Sequence, residues 1–524
     1  MLKLLLFFIL FSFLSRGIIF GIYCLVNNIK KKQQPNKETK LPENLSLIMG
    51  IVVIAYLVFF LVFWIVVKNL RITSIILFGT ILFALLVAYV IILNKTSKQY
   101  DKENWLKNLY GKEKVKTVLS SLLSIVIGLY IGCIILLLFI GKNDGGASVS
   151  LSTAIDSIQL IFFGALNNGR DAAGNLIFGW NGREIGDMLF KATPLILTGL
   201  SVAVAFKTGL FNIGAPGQYL VGTASALIIA LTVPSSVPAF ITWILAFFGA
   251  ILFGALWGAI SGLFKAFLNV NEVITCIMTN WIAANLVTWL FDSNGGPFKF
   301  LLDPSGTKNN AYVFKSSHNG VATIKLGLDK IFSGSQVNAG IIIAIIIAII
   351  VYIVLNKTTF GYELKACGAN RHASRYAGIK EKRSIVFSMA IAGGLAAAGA
   401  ALYYLSGNTE FRWETYQSLP GTGFNGIPIS LLAANNPIGV CLSAIFMAYL
   451  DTAGLQIKYM TTYNEYITSI ISAIIVYFSA FSLVIRDLIT GNNRVFKFLK
   501  GEGIFTKKQT LVTENTTETK EVQG

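Results

Sequence analysis

Charged side chains and histidine are scarce in this chain of 524 residues. Asp, Glu, Lys and Arg make up 13% of it, and two histidines leave little for chemistry built on imidazole. The five cysteines are scattered and lie mostly in apolar runs, so neither a disulfide framework nor a zinc site is predicted. The sequence contains no Gly-x-Ser-x-Gly, His-Glu-x-x-His or Gly-x-x-x-x-Gly-Lys-Ser/Thr motif. We therefore expect no catalytic residue, no metal, no cofactor and no Walker-type ATP site on this chain.

Apolar residues are abundant instead, because 54% of the chain is hydrophobic and the mean hydropathy is +0.67. This composition is typical of integral membrane proteins. Runs such as 341–355 are apolar on every face, which excludes the alternating pattern of a membrane β-barrel. The predicted fold is all-α, a polytopic transmembrane helical bundle that crosses the cell membrane several times and contacts lipid.

The basic residues indicate the topology of this bundle rather than nucleic-acid binding. The net charge is +18, but Lys and Arg cluster in short loops between apolar runs. The positive-inside rule assigns loops 28–45 and 95–116, the segment 357–383 and the C-terminal tail to the cytoplasm. This topology places Lys68 and Arg71 on the extracellular side, contrary to the same rule.

Three regions follow from this pattern. Residues 1–116 are predicted to be an N-terminal extension with about three spans. Its first apolar stretch, 1–27, is interpreted as an uncleaved span in preference to a signal peptide. Residues 117–490 form a core of about ten spans, among them 238–267, 272–291, 384–405 and 438–454, and its polar stretch 292–337 is interpreted as an external loop. Residues 491–524 form a cytoplasmic tail that is expected to be disordered.

A polar turn at 211–218, which contains Pro216, separates the apolar stretches 195–206 and 219–231. Backbone amides at membrane depth must be paired, so a broken helix is tolerated there only inside protein or beside a watery cavity. In transporters, such helix ends expose N–H and C=O groups to polar substrates. The turn is therefore either the wall of a pathway or a short loop between two spans.

A second interruption is predicted at the glycine-rich stretch 421–426. It precedes a short apolar segment, 427–434, and a new turn at 435–437. Counting 420–435 as a crossing places the basic tail inside, as its charge requires. The parity of the spans thus favours a second broken element.

Ionisable residues within or beside the spans are few, and such residues are functional candidates because charge in lipid is costly. Glu272 begins a span that also carries Asn280. Its carboxylate either makes a gating or structural hydrogen bond or is a solvated group favoured by the helix dipole. Asp451, near the end of its span, has the same two interpretations, and solvation is favoured there. The shortage of intramembrane charge argues against proton- or sodium-coupled transport.

The basic segment 361–379 also carries apolar residues at helix-compatible spacing, among them Ala373, Tyr376 and Ile379. Two short helices separated by 368–370 would present a knob to a cytoplasmic partner. A solvated basic loop is the alternative.

Three stretches together resemble one family. They are Phe-Lys-Thr-Gly-Leu-Phe-Asn-Ile-Gly at 206–214 followed by Gly217-Gln218, the segment 361–379, and Gly-Thr-Gly-Phe-Asn-Gly-Ile at 421–427 followed by Leu431-Leu432 and Asn436-Pro437. Their order and spacing resemble the permease subunits of nucleoside and simple-sugar ABC importers, of the branched-chain amino acid and ribose permease superfamily, over about residues 117–490. The first stretch and the Asn-Glu-Val-Ile at 271–274 are most similar to purine nucleoside permeases.

The resemblance implies a permease that imports purine nucleosides such as guanosine by alternating access, with ATP hydrolysed on a separate subunit. The implied partners are a cytoplasmic ABC ATPase, a second permease in a heterodimer and an extracellular substrate-binding lipoprotein. The candidate pathway residues are Phe211, Asn212, Gly214, Gln218, Glu272, Asn280, Phe424 and Asn425. The candidates for coupling to the ATPase are Gly361, Leu364, Gly368, Asn370, Ala373, Tyr376 and Gly378.

The chain departs from this family in two places. Pro216 stands where the family usually has Glu, so no carboxylate role is carried over and the turn is expected to be stiffer. The extension 1–116 exceeds the family core. A permease for ribose or another simple sugar remains the alternative, and an ion-coupled secondary transporter is a more remote one.

Overall fold

The computed structural model describes residues 150–292, 295–301, 312–314, 320–464 and 466–480, together with 125, 128–133, 135–136, 143–144 and 147–148. The predicted extension 1–116 and the tail 491–524 lie outside the described residues.

Helices dominate the described chain, as the composition predicts. They are α1 (Leu151–Phe163), α2 (Gly182–Lys207), α3 (Ala215–Thr232), α4 (Ala239–Leu268), α5 (Glu272–Leu290), α6 (Leu328–Ile331), α7 (Gly340–Lys357), α8 (Thr359–Ala369), α9 (Arg371–Tyr376), α10 (Glu381–Tyr404), α11 (Gly421–Leu432), α12 (Pro437–Met460) and α13 (Tyr466–Ala480). Short 3₁₀ turns occupy Gly164–Leu166 and Lys299–Leu301. Three antiparallel pairs of short strands complete the fold: β1 (Asn143–Asp144) with β2 (Ala147–Ser148), β3 (Asn167–Arg170) with β4 (Leu176–Phe178), and β5 (Tyr312–Phe314) with β6 (Phe411–Arg412).

Seven helices in the described part of the chain are long and apolar enough to cross a membrane: α2, α3, α4, α5, α7, α10 and α12. This confirms a polytopic helical bundle. The end of the bundle that carries the basic segment 357–383 is called the inner end below, and the opposite end the outer end.

Burial separates central from peripheral helices. In their most apolar windows, 83% of α2 and 78% of α10 are buried inside the protein, compared with 28% of α4. Phe248 and Leu252 of α4 are 62% and 57% exposed. Exposed apolar faces of this kind suit lipid, so α2 and α10 form the centre and α4 the rim.

Small residues bring α4 and α10 into backbone contact. A Cβ atom at Gly258 would lie 3.0 Å from the Cα of Gly393, and one at Gly393 would collide with the carbonyl oxygen of Gly254. Without a hydrophobic effect between helices in lipid, such close approach is a main source of helix association. It explains the Gly/Ala-rich sequence of α10.

At the outer end, the β3–β4 hairpin joins the start of α2 to the end of α12. The Asn167 side chain donates to Oε1 of Gln456 at 2.8 Å, and the Asn181 side chain donates to the Asn167 carbonyl at 2.6 Å. The guanidinium of Arg170 donates to the Met460 carbonyl at 2.7 Å. The hairpin thus holds the two helix ends together through these hydrogen bonds.

Element boundaries differ from the prediction in three places. Helix α2 begins at Gly182, well before the apolar stretch predicted from 195, because Asn181 caps it by accepting a hydrogen bond from the Glu184 amide at 3.1 Å. The stretch 292–337, predicted as an external loop, contains β5 and packs in part on the bundle through Thr323, whose amide donates to the Leu405 carbonyl at 2.9 Å. Helix α12 continues to Met460, beyond the predicted 438–454.

Candidate functional site

The chain breaks between α2 and α3, as the sequence predicts. Gly209 has φ +70°, a conformation that glycine adopts without strain. Pro216 lies in the first turn of α3, where its missing N–H costs no hydrogen bond. Val202, Ala215 and Ala396 share one buried cluster, so α3 begins within the bundle and not at its inner end.

Two side-chain amides form hydrogen bonds to each other across this break. Nδ2 of Asn212 donates to Oε1 of Gln218 at 2.8 Å, and Nε2 of Gln218 donates back to Oδ1 of Asn212 at 3.1 Å. The same Asn212 oxygen accepts from the Gly214 amide at 3.1 Å, and its nitrogen donates to Oγ of Ser201 at 3.0 Å. Asn212 is fully buried and Gln218 is 2% exposed, so these bonds replace the backbone ladder that the break removes.

Asn280 of α5 supports the break from the other side. Its Oδ1 accepts from the Gly217 amide at 2.9 Å, and its Nδ2 donates to the Ile213 carbonyl at 3.0 Å. A Cβ atom at Gly217 would lie 2.6 Å from that Oδ1, so only glycine permits this approach. One side chain therefore satisfies backbone groups on both sides of the interruption.

The structure thus brings Asn212, Gly214, Gln218 and Asn280 together, but it surrounds them with protein. Phe211 is half-buried and stacks on Phe206 with a centroid distance of 5.1 Å. The polar groups of the break serve mainly to hold the broken chain.

Glu272 lies apart from this group. Its carboxylate pairs with Nζ of Lys265 at 2.9 Å, and both side chains are 15% exposed. The ion pair closes the turn between α4 and α5, and Asn271 caps the start of α5 by accepting from the Val273 amide at 2.9 Å. The carboxylate is therefore neither freely solvated nor in contact with the break.

The second interruption lies elsewhere than predicted. Residues 421–426 are not a break, because they form the first turns of α11, which follows Pro420. The chain breaks after α11, at the turn predicted for 435–437, where Ala434 and Asn435 have φ values of 50° and 57°. Twelve residues of helix span only about 18 Å, so α11 is a short element within the bundle.

Helix α11 lies directly against the first break. A Cβ atom at Gly423 would lie within 2.7 Å of the Pro216 nitrogen, and one at Gly426 within 2.6 Å of the Thr198 carbonyl oxygen. The outward face of the same helix carries Phe424, which is 39% exposed, and Asn425, which is half-buried. These two candidates present free surface, whereas the amides of the first break do not.

An aromatic cluster that the sequence analysis did not single out lies near the outer end. Tyr403 and Tyr404 of α10 meet edge to face at 5.2 Å between centroids, and Tyr403 stacks on Phe190 at 5.2 Å. Tyr404 also meets Phe411 at 5.7 Å and Tyr219 at 6.5 Å. The sequence feature that could have predicted this cluster is the pair of adjacent tyrosines at the end of a helix rich in small residues.

The coupling candidates divide into two groups. Gly361, Leu364 and Gly368 face the bundle, and Leu364 is fully buried. A Cβ atom at Gly368 would lie 2.9 Å from the Gly209 nitrogen and would collide with the Lys207 carbonyl oxygen. The basic segment is thus in backbone contact with the first break.

The other group faces outward. Asn370 caps α9 by accepting from the Ala373 amide at 3.0 Å, Tyr376 is 95% exposed, and Gly378 has φ +83°. The two short helices are present as predicted, although the break between them is Asn370 alone. Instead of a simple knob, they enclose an open cleft of about 540 Å³, lined by four alanines and six larger or polar residues, among them Tyr362, Glu363 and Ile379.

A bundle of membrane-spanning helices with two internal interruptions, one of them joined to an exposed basic helical pair, is typical of membrane transport subunits. Comparison with known proteins names its family. Residues 185–480 match the branched-chain amino acid transport system / permease component family, and the chain belongs to that family of ABC permeases. It is a multi-pass protein of the plasma membrane.

The match with this chain covers most of the length of three relatives. The nucleoside ABC transporter permease protein NupB of Lactococcus lactis subsp. cremoris is 33% identical over 72% of this chain and 94% of that protein. The guanosine ABC transporter permease protein NupP of Bacillus subtilis is 34% identical over 63% and 90%. The glucose ABC transporter permease protein TsgB13 of Haloferax volcanii is 32% identical over 56% and 74%. No solved structure matches this chain significantly.

Proposed function

We propose that this chain is the permease subunit of an ATP-driven importer of nucleosides, with purine nucleosides such as guanosine as substrates. The observation that carries the proposal is a chain of close contacts from the basic segment to both interrupted elements. Gly368 lies against Gly209 in the first break, and Pro216 at the end of that break lies against Gly423 of α11. The names of the nucleoside and guanosine relatives support the substrate class.

These contacts suit the transmission of movement. The exposed cleft between α8 and α9 receives a cytoplasmic ATPase, and closure of that ATPase displaces the segment. Because glycines meet backbone atoms at both contacts, no flexible side chain absorbs the displacement. The movement therefore reaches α11, whose Phe424 and Asn425 present free surface to a substrate.

The remaining partners follow from the same proposal. ATP is bound and hydrolysed on the separate ATPase, since this sequence has no Walker-type motif. A second permease forms a heterodimer with this chain, and an extracellular lipoprotein delivers the nucleoside.

Uptake in cells tests the substrate. Disruption of this gene is expected to reduce uptake of labelled guanosine and uridine to background, and the intact gene should restore it. Gly423→Val should fail to restore uptake because its side chain would collide with Pro216. Gly295→Ala, at a position where a Cβ atom meets nothing within 4 Å, is the matched control and should restore it. Unchanged uptake after disruption, with no paralogue to compensate, would exclude a nucleoside substrate.

The glucose relative supports a second candidate, a sugar permease. Competition of the uptake by unlabelled guanosine, ribose and glucose separates the two. Purification in mild detergent tests the coupling to ATP. Tagged protein is expected to bring down the ATPase, and transport should not follow an ion gradient.

A further inference from the structure

Two opposite charges lie at the same depth in the outer half of the bundle. Lys191 is nine residues from the start of α2 at Gly182, and Asp451 is nine residues from the end of α12 at Met460. At about 1.5 Å per residue, each lies about 14 Å from the outer end of its helix. The β3–β4 hairpin holds these two ends together, so the charges are level with each other.

The side chains of Lys191 and Asp451 have solvent-accessible surface but no hydrogen-bond or ion-pair partner in the described structure. Asp451 is exposed and Lys191 is half-buried. The helices that carry them, α12 and α2, pack against each other. Lys191 attracts the carboxylate electrostatically. Within the described part of the chain, neither side chain makes a hydrogen bond or a direct ion pair.

Lipid does not account for this position. Helices of 26 and 24 residues are about 39 and 36 Å long, compared with about 30 Å for the hydrocarbon layer, so the charges lie about 10 Å inside it. A charge at that depth faces water or protein. Leu442 of α12, which is 70% exposed, is nine residues from Asp451 and so on the opposite face of the helix. The lipid-facing side of α12 is therefore the side that Asp451 avoids.

The chemistry of the pair selects its ligand. A carboxylate only accepts hydrogen bonds and an ammonium only donates them, whereas a hydroxyl does both. Neighbouring hydroxyls on a neutral ring can satisfy both side chains at once. An anionic ligand would be repelled by Asp451, and a cationic one by Lys191. Nucleosides and glucose, for which the relatives are named, have ring hydroxyls in common.

We infer that Asp451 and Lys191 form a sugar-hydroxyl subsite in the outer half of the permease. The carboxylate accepts hydrogen bonds from the substrate's ribose hydroxyls, and the ammonium donates to one of them. The inference rests on the proposed function for the identity of the sugar, but it does not depend on the nucleobase. Asp451 is then a specificity-determining residue for the transported molecule.

Cysteine labelling in cells that carry the whole transporter tests the location. Leu455→Cys, one turn beyond Asp451 on the same face of α12, keeps both charges and should react from outside with a membrane-impermeant thiol reagent. Saturating guanosine or ribose should slow the reaction at least about fivefold, whereas guanine should not. The control is Leu442→Cys, on the opposite face of the same helix, which should not react. The unsubstituted protein, with its native cysteines, gives the background.

Discrimination between substrates tests the chemistry. Asp451→Asn should weaken uptake of guanosine about tenfold, because a carboxylate is a stronger acceptor than an amide, and should leave competition by 2′,3′-dideoxyguanosine within about twofold. Since the binding lipoprotein is the same in both strains, a change in this ratio belongs to the permease. Glu414→Gln, at an exposed site between α10 and α11, should leave the ratio unchanged.

Each other outcome overturns a definite part of the inference. Labelling of Leu455→Cys without protection by any sugar would show a water-accessible surface but no subsite. Absence of labelling of Leu455→Cys would overturn the accessible subsite, and loss of the second permease on purification of Asp451→Asn would then place the pair in a subunit interface. Protection by glucose but not guanosine would overturn the nucleoside proposal and leave the sugar-hydroxyl subsite standing.

Discussion

The first break and the Lys191–Asp451 pair contain polar groups in opposite states. In the break, Asn212, Gln218 and Asn280 are buried, and their amides have partners in each other or in the backbone. In the pair, Asp451 is exposed, Lys191 is half-buried, and neither makes a hydrogen bond or a direct ion pair within the described structure. A buried polar group without a partner costs free energy, so a satisfied network holds a structure together. An accessible pair without partners is available to a ligand.

The largest effect is expected from a change to the buried amides of the first break. Asn280→Ala removes the partners of the Gly217 N–H and the Ile213 C=O, and we expect a loss of about 3 kcal/mol in the free energy of unfolding. Thermal unfolding in detergent, followed by retention on size-exclusion chromatography, measures it. Asn285→Ala is the matched control. That asparagine is exposed on the same helix and donates only to the Trp281 carbonyl. Equal melting temperatures for the two variants would contradict a structural role for Asn280.

The contact between the basic segment and the break comes next. Gly368→Ala should lower transport about tenfold, because the added methyl group meets the Gly209 nitrogen and the Lys207 carbonyl. ATP hydrolysis by the reconstituted complex should persist but lose its dependence on substrate. Transport at the wild-type rate would show that this contact carries no movement.

Ala373→Asp tests the outward face of the same segment. The residue is exposed and lines the cleft of about 540 Å³, so a buried carboxylate in the docked complex should weaken ATPase binding by several fold. Membrane insertion should be unchanged. Asn464→Asp, an exposed substitution at the outer end, is the control for added charge. Substrate-stimulated ATP hydrolysis at the normal rate in the Ala373→Asp complex would count against docking there.

The smallest effect is expected at Glu272. A double-mutant cycle of Glu272→Gln and Lys265→Met should give a coupling energy of about 1 kcal/mol for this partly exposed pair. Transport should change less than about twofold, since the pair does not contact the break. A loss of transport without a loss of stability would restore the gating interpretation.

The positions of the helices could be predicted from the sequence, but the tertiary contacts of each polar residue could not. Spans such as α4, α5 and α10 were predicted within a few residues, because uninterrupted apolar runs in lipid leave only the helix. The first break was predicted at 211–218 from glycine and proline, and the structure has it between the end of α2 at Lys207 and the start of α3 at Ala215. That Asn280 reaches it from another helix depends on tertiary packing, which local sequence does not contain.

Two errors have simple physical causes. Residues 421–426 were predicted to be a break because glycine disfavours helix, yet Gly423 and Gly426 are helical since each permits contact with another backbone. Asp451 was placed near the end of its span because polar residues follow 454. The helix continues to Met460, and this extension moves the carboxylate well inside the membrane layer.

The hydrogen bonds of Asn167 and Arg170 constrain what can move. Separation of the outer ends of α2 and α12 would break either the 2.6 Å bond that ties the hairpin to the start of α2 or the bonds of 2.8 and 2.7 Å that tie it to α12. We therefore expect the outer ends of these two helices to move together in the transport cycle, and opening to the outside to take place along other helix contacts. Lys191 and Asp451 would then keep their spacing as the transporter changes state.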